Sequence, residues 1–253
     1  MFPRHGGRRG PSVVVRTRAT RVTMKAAVNV SAVQVLANVT SQATATTRVN
    51  LAVQHLLAAA SFSREVGLLE KQHTGEQFAG FWEDIFHQAI ACVLTTVASL
   101  EAYANELFFD REKTFPEYSP ELLHNLWTTY EAKSIVEKFE FALLLRKKPP
   151  LERGARPFQD VKVLVELRNA LTHFKPEWAN EANEHKKLSA KLAGKVEGSP
   201  FLTADTLLFP RKWASHSCTT WAIKSTIAFA EAFEAAGDFP SKFKVGDPGA
   251  LEP

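Results

Sequence analysis

The sequence predicts an all-α fold: a single helical bundle of about five to six helices behind a disordered or extended N-terminal arm. Three observations carry this expectation. The 12 Gly and 13 Pro gather at the two ends and in a few connectors, leaving long stretches rich in Ala, Leu, Glu and Lys. Apolar residues in those stretches recur three and four positions apart, the period of a helix face. A chain of 253 residues with 45% hydrophobic content can bury one sizeable core without needing a second domain.

Taken in order, residues 1 to 25 read as a disordered basic tail, with Met24 as an alternative start. Residues 26 to 49 alternate as Val28, Val30, Val33 and Val35 between Ser and Thr, the pattern of an extended arm or weak strand. A helical domain is expected from 50 to 238. Its first helix spans about 50 to 72 (Leu51, Leu56, Leu57, Val66, Leu69), and Thr74-Gly75 breaks it. The longest helix is expected over about 76 to 113, where Val93, Val97, Leu100, Ala104 and Leu107 form one stripe. Ser119-Pro120-Glu121 is a good helix start, with a capping Ser and Pro at the first helical position; that helix is expected to reach about 147, before Pro149-Pro150. The next helix covers about 158 to 174 and is stopped by Pro176. A polar stretch, 177 to 212, reads as part loop and part short helix around 182 to 193. A last helix over about 217 to 236 is expected to end at Gly237, followed by a disordered tail, 239 to 253.

Charge and composition exclude several functions. The first 64 residues hold nine Lys or Arg and no Asp or Glu, whereas from Glu65 onward 27 acids face 22 bases. The body is therefore not a broadly basic nucleic-acid surface. Residues 146 to 175 run against this trend: Arg146, Lys147, Lys148, Arg153, Arg156, Lys162, Arg168 and Lys175 face only Glu152, Asp160 and Glu166. They read equally well as a solvated helix face or a phosphate track. The two cysteines, Cys92 and Cys218, lie inside apolar patterns, so a disulfide framework is not expected and a reducing, cytoplasmic setting is. No apolar run looks long enough for a membrane span; the best, Ala89 to Leu100, holds Thr95, Thr96 and Ser99. Neither a HExxH nor a paired CxxC spacing occurs, and His5-Gly6-Gly7-Arg8-Arg9-Gly10 lacks the Walker pattern, so no metal and no cofactor are expected. The five Trp, spread along the helices, read as core or interface anchors rather than base-stacking platforms.

The most informative stretch is Arg168-Asn169-Ala170-Leu171-Thr172-His173. It puts a permanent cation that forks onto phosphate oxygens near an imidazole able to give or take a proton. Val161, Leu164, Leu167 and Leu171 mark the core side of this helix, and Glu166, Asn169, Thr172 and His173 the polar side. By helical spacing Arg168 lies roughly 140° from His173. One chain's spacing alone thus does not bring guanidinium and imidazole together. A His in the last helical turn suits proton donation to a leaving oxygen, yet such a His often only bonds the final carbonyls. Glu101, beside the Val97-Leu100-Ala104 stripe, reads as a largely buried carboxylate in need of a partner, with Arg168 as the natural one. That pair would either orient the guanidinium or be a plain interhelical salt bridge.

Leu167 to His173 resembles the signature of the HEPN superfamily, an Arg, a small polar residue and a His four to six positions beyond the Arg. Ser99-Leu100-Glu101-Ala102-Tyr103-Ala104-Asn105-Glu106-Leu107 is similar to a segment that often precedes it. The resemblance covers roughly Phe78 to Trp178, with Trp221 to Phe233 a looser match. It implies a helical bundle that pairs as a homodimer, setting two motifs across one cleft, and an endoribonuclease that needs no metal. On this chain Arg168 would bind the scissile phosphate, Asn169 would hydrogen-bond substrate or orient His173, and His173 would act as acid or base while the RNA 2′-hydroxyl attacks. Glu101, Glu166 and Thr172 would support them, and Lys162, Arg156 and Lys175 would bind RNA. The implied partners are an RNA substrate, a second copy of the chain and an antitoxin protein. A non-catalytic module that dimerises or docks a partner is the alternative, favoured by the acidic body.

Overall fold

The computed structural model describes residues 14–16, 46–178, 181, 183–244 and 248–253. The chain divides into two compact units, Met1–Val49 and Asn50–Pro253. In the first, strands β1 (Val14–Arg16) and β2 (Thr46–Arg48) pair antiparallel, with Val15 opposite Thr47. Residues 14–16 thus depart from the expected disordered tail; the remainder of that tail, and the arm from 26 to 45, lie outside the described residues.

The second unit is all-α. Helix α1 (Ala52–Gln72) packs along much of α2 (Phe81–Phe109), burying Leu56, Ala59, Ala60, Ser63 and Val66 at spacings of three and four. Gly75, at φ 85°, adopts the left-handed backbone that turns the chain between them. That turn delays α2 to Phe81, five residues later than the sequence pattern suggests, and α2 then ends at Phe109, with a separate short turn, α3 (Arg111–Thr114), after it. The two long helices run antiparallel, because the Leu51 and Ala52 amides at the start of α1 both donate to Glu106 Oε1 near the end of α2, at 2.8 and 3.0 Å. Leu51 offers no capping side chain, so this distant carboxylate satisfies two of the amides that a helix start leaves unpaired.

The single helix expected from 120 to 147 is two: α4 (Pro120–Tyr130) and α5 (Ile135–Leu145). Ser134 and Glu137 form a reciprocal capping box that restarts the chain after Glu131, and Ser119 caps α4 through the Leu122 amide. Helix α6 (Arg156–Thr172) carries the motif, and α7 (Asn183–Leu192) follows. The last helix, α8 (His216–Gly237), packs on α1, α2, α5 and α6. It is tied to α1 by a buried Ser63–Thr219 hydroxyl bond of 2.7 Å and to α2 by Tyr103 donating to Glu234 at 3.0 Å.

Helix α8 ends at Gly237, as the sequence suggests, and Asp238 (φ 52°) is the left-handed residue after it; Gly237 is needed because Phe239 lies where a side chain would be, 2.2 Å from an ideal Cβ. Two expectations are corrected here. The C-terminal segment is not a loose tail: Phe239, Phe243 and Leu251 are buried, Lys242 pairs with Glu106, and Pro248–Leu251 forms a short 3-10 turn against α1. Finally, the 29-residue α2 is long and apolar enough, by length and composition, to cross a membrane. In this fold its apolar side (Ile85, Ala89, Val93, Val97, Leu100, Ala104) is the centre of the bundle core.

Candidate functional site

Arg168 and His173 open onto different grooves. Arg168 lines a cavity of about 480 Å³ floored by α2 (Val97, Ala98, Glu101, Asn105) and walled by His55 of α1 and Thr172 of α6. His173, the residue that ends α6, is exposed and lines a second groove of about 310 Å³ with Glu166 and residues of and before α7. Helical geometry separates the two side chains, as their five-residue spacing requires.

The expected Glu101–Arg168 pair does not form. Glu101 pairs instead with Lys138 of α5, whose ammonium also donates to Asn105 at 3.4 Å. Lys138 is 3% exposed and Glu101 38%, so the buried partner is the lysine and the carboxylate faces the groove. The physical reason is access. Lys138 sits on the buried face of α5 beside Ile135, Phe139 and Ala142, where its ammonium has to find an anion, and Glu101 is the one it reaches. Arg168 is consequently left without that counter-ion. Its Nε is buried without a hydrogen-bond partner, and among the described residues no carboxylate pairs with its guanidinium. Thr172 donates to the Arg168 carbonyl at 2.9 Å, which holds the last turn of α6 together.

The other predicted residues distribute as follows. Asn169 is exposed and lines neither groove. Glu166 is held by Lys191 of α7 in the His173 groove, where Lys187 and Glu184 also pair. Lys175 lines that groove too, and its carbonyl is 3.0 Å from His185 Nε2. Lys162 is exposed on α6. Arg156 pairs with Asp160 at 3.3 Å and lines another cavity, of about 710 Å³, at the opposite end of α6. Twelve residues separate it from Arg168, about 18 Å of helix. Arg156 is therefore not beside the motif. Five of the eight basic residues from 146 to 175 are engaged within the chain: Lys147 pairs with Glu117, Lys148 with Asp238, Arg153 with Glu140 and Arg156 with Asp160, while Arg146 lies over Phe239 and donates to the Asp238 carbonyl.

The 710 Å³ cavity brings together Glu70, Asp160, Lys195, His216, Trp221 and Lys224. Burial holds the Glu70 carboxyl above its ordinary range, against the His216 amide that donates to it at 2.9 Å. Burial, with Lys71 nearby, holds the His216 imidazole below its usual value. Among the described residues no group of three or more His, Cys, Asp or Glu is arranged to hold a metal. Cys92 and Cys218 are free, buried thiols, and burial pushes Cys92 up to about 12, so neither is a nucleophile.

Two residues of the Arg168 groove, His55 and Asn105, escape sequence reasoning, as does Lys138, the buried partner of its Glu101. Lys138 left a signal, a charge on the apolar stripe of α5; Asn105 lies four residues from Glu101 and shares its face. His55 left none, because only the packing of α1 on α2 brings it there. Compared with protein-family models, curated proteins and solved structures, the chain matches none.

Proposed function

We propose that this chain is a metal-independent endoribonuclease of the HEPN type, in which Arg168 holds the scissile phosphate and His173 of a second copy supplies a proton-transferring imidazole. One observation carries the reading: a guanidinium set in an open groove with its charge left unpaired, because Lys138 has taken the neighbouring carboxylate. A phosphate completes that site with charge-assisted bonds to the guanidinium. The separation of Arg168 from His173 makes a homodimer part of the proposal, and the exposed Leu94 at the groove rim offers it apolar surface. An antitoxin protein covering the groove, no membrane attachment and a cytoplasmic setting belong to the same reading, the last supported by the two free thiols.

Single-stranded RNA incubated with the purified protein in EDTA tests it. The parent is expected to cut, leaving cyclic phosphate ends, and Arg168→Ala and His173→Ala each to lose cutting while keeping their helical circular dichroism. Mixing the two inactive variants should restore part of the activity, since a mixed dimer contains one intact composite site. Full activity in both variants would overturn the proposal. A non-catalytic partner-binding module is the second reading; the extensive pairing of the basic residues favours it, and a parent that binds a protein but never cuts RNA would establish it.

A further inference from the structure

Cleavage of RNA by its own 2′-hydroxyl needs two proton transfers: one off the attacking oxygen, one onto the leaving oxygen. His173 supplies one group. We infer that His55 supplies the other, as the base that takes the 2′-hydroxyl proton in the Arg168 groove; this rests on the reading above.

His55 stands in the same 480 Å³ cavity as Arg168, contributed by the same chain. Its imidazole is half-buried and has no hydrogen bond among the described residues, so a ring nitrogen is available to a substrate. Its position is fixed from behind. The backbone at Leu51 and Ala52, one turn before it, is clamped by Glu106, which lies on α2 one residue beyond the groove-lining Asn105. The charged groups that face it are the Glu101 carboxylate, already held by Lys138, and the Arg168 guanidinium. A phosphate gripped by Arg168 therefore presents its ribose to the wall carrying His55, in a cavity of a size that accepts a small ligand.

The step balances without a metal. The 2′-oxygen gives its proton to the neutral His55 ring and bonds to phosphorus; the bond from phosphorus to the 5′-oxygen breaks; that oxygen takes a proton from the His173 imidazolium. The products are a 2′,3′-cyclic phosphate and a 5′-hydroxyl. Two imidazoles of opposite protonation give a rate that rises and then falls with pH.

The experiment compares parent, His55→Gln, His173→Ala and Arg168→Ala in single-turnover cleavage of a labelled single-stranded RNA in EDTA between pH 5 and 9. A second substrate carries sulfur in place of the 5′-bridging oxygen; a thiolate leaves without an acid. His55→Gln is expected to lose about 10²-fold or more in rate, to lose the acidic limb of the profile, and to bind RNA within about threefold of the parent. The sulfur substrate should rescue His173→Ala and fail to rescue His55→Gln. If His55→Gln cuts as the parent does while Arg168→Ala is dead, His55 has no such role and the nuclease reading stands. Rescue of His55→Gln by sulfur would overturn its assignment as the base. A parent that does not cut, or an Arg168→Ala variant that cuts like the parent, overturns both.

Discussion

The two ends of α6 carry the same kind of side chain in opposite electrostatic circumstances. At the N-terminal end Arg156 and Lys195 share Asp160, whose carboxylate is buried, and the half-buried Glu70 accepts from the His216 amide. At the C-terminal end Arg168 faces a carboxylate already committed to Lys138. The first end is the larger cavity and the more crowded with charge; the second keeps an unsatisfied cation. A residual charge, rather than a count of basic residues, marks a place prepared for an anion, since a compensated arginine must break its own pair before it can bind a phosphate.

The largest expected effect follows directly. Arg168→Ala should lower RNA cleavage by about 10² to 10³-fold, the range for removing one donor to a developing oxyanion. Arg156→Ala, whose side chain is 80% exposed, should change it by less than about threefold and barely move the melting temperature. Equal losses from the two variants would mean that general basicity, not the unpaired guanidinium, is what RNA recognises.

Lys138 sharpens the contrast by turning one end into the other. Lys138→Met leaves Glu101 without its cation and free to pair with Arg168, reproducing the Arg156–Asp160 arrangement. We expect a stability loss of about 1 to 2 kcal/mol in denaturant titration, below the range for a fully buried pair because Glu101 is partly solvated. Cleavage should fall about tenfold, and Glu101→Gln added to Lys138→Met should recover it. Unchanged cleavage in the single variant would show that Glu101 never competes for the guanidinium.

This contrast was only half legible in the sequence. Helix α6 could be read from Val161, Leu164 and Leu167, all buried, and the separation of Arg168 from His173 followed from five residues of helical rotation. The partner of Glu101 could not be read, because it comes from α5, whose start at Ser134 was hidden inside what looked like one long helix. The Ser134-x-x-Glu137 box is a local signal for the start of α5, and from that start Lys138 falls between the buried Ile135, Phe139 and Ala142. His55 and the Glu106 clamp were out of reach for a different reason: each joins residues about 50 positions apart, and local periodicity carries no information on which faces meet. The packed C-terminal segment hid in the same way, its Phe239, Phe243 and Leu251 being too sparse to show a period.

At the compensated end, pH is the gentler probe. The folded His216 imidazole sits below its ordinary value, so as pH falls through about 6.5 the unfolded chain takes up a proton that the folded chain refuses. His216 therefore contributes stability above that pH and loses it as the pH drops toward the folded value, at no more than about 1.4 kcal/mol per pH unit. Glu70, held above its ordinary range, acts in the opposite sense: its protonated form favours the fold, and that contribution is lost as pH rises from about 4.3 through its folded value. His216→Asn should flatten the decline just below pH 6.5 in melting curves, and cleavage at the Arg168 end should not follow it. A parallel loss of activity would couple the two ends and undo the contrast.

The smallest effect comes from Gly67, against which the same imidazole lies. An ideal Cβ on Gly67 would stand 3.0 Å from His216 Cδ2 and Nε2, closer than comfortable contact. Gly67→Ala gains about 1 kcal/mol of helix propensity in the middle of α1, and the contact takes back a similar amount unless the ring moves. The ring's freedom is limited because its own amide is fixed to Glu70 at 2.9 Å. We therefore expect Gly67→Ala to change stability by less than about 1 kcal/mol alone, and to stabilise by about that amount in a His216→Ala background. A coupling near zero in that cycle would mean that the imidazole swings clear, so that the tight packing of α8 on α1 is not what holds this end of the molecule in its compensated state.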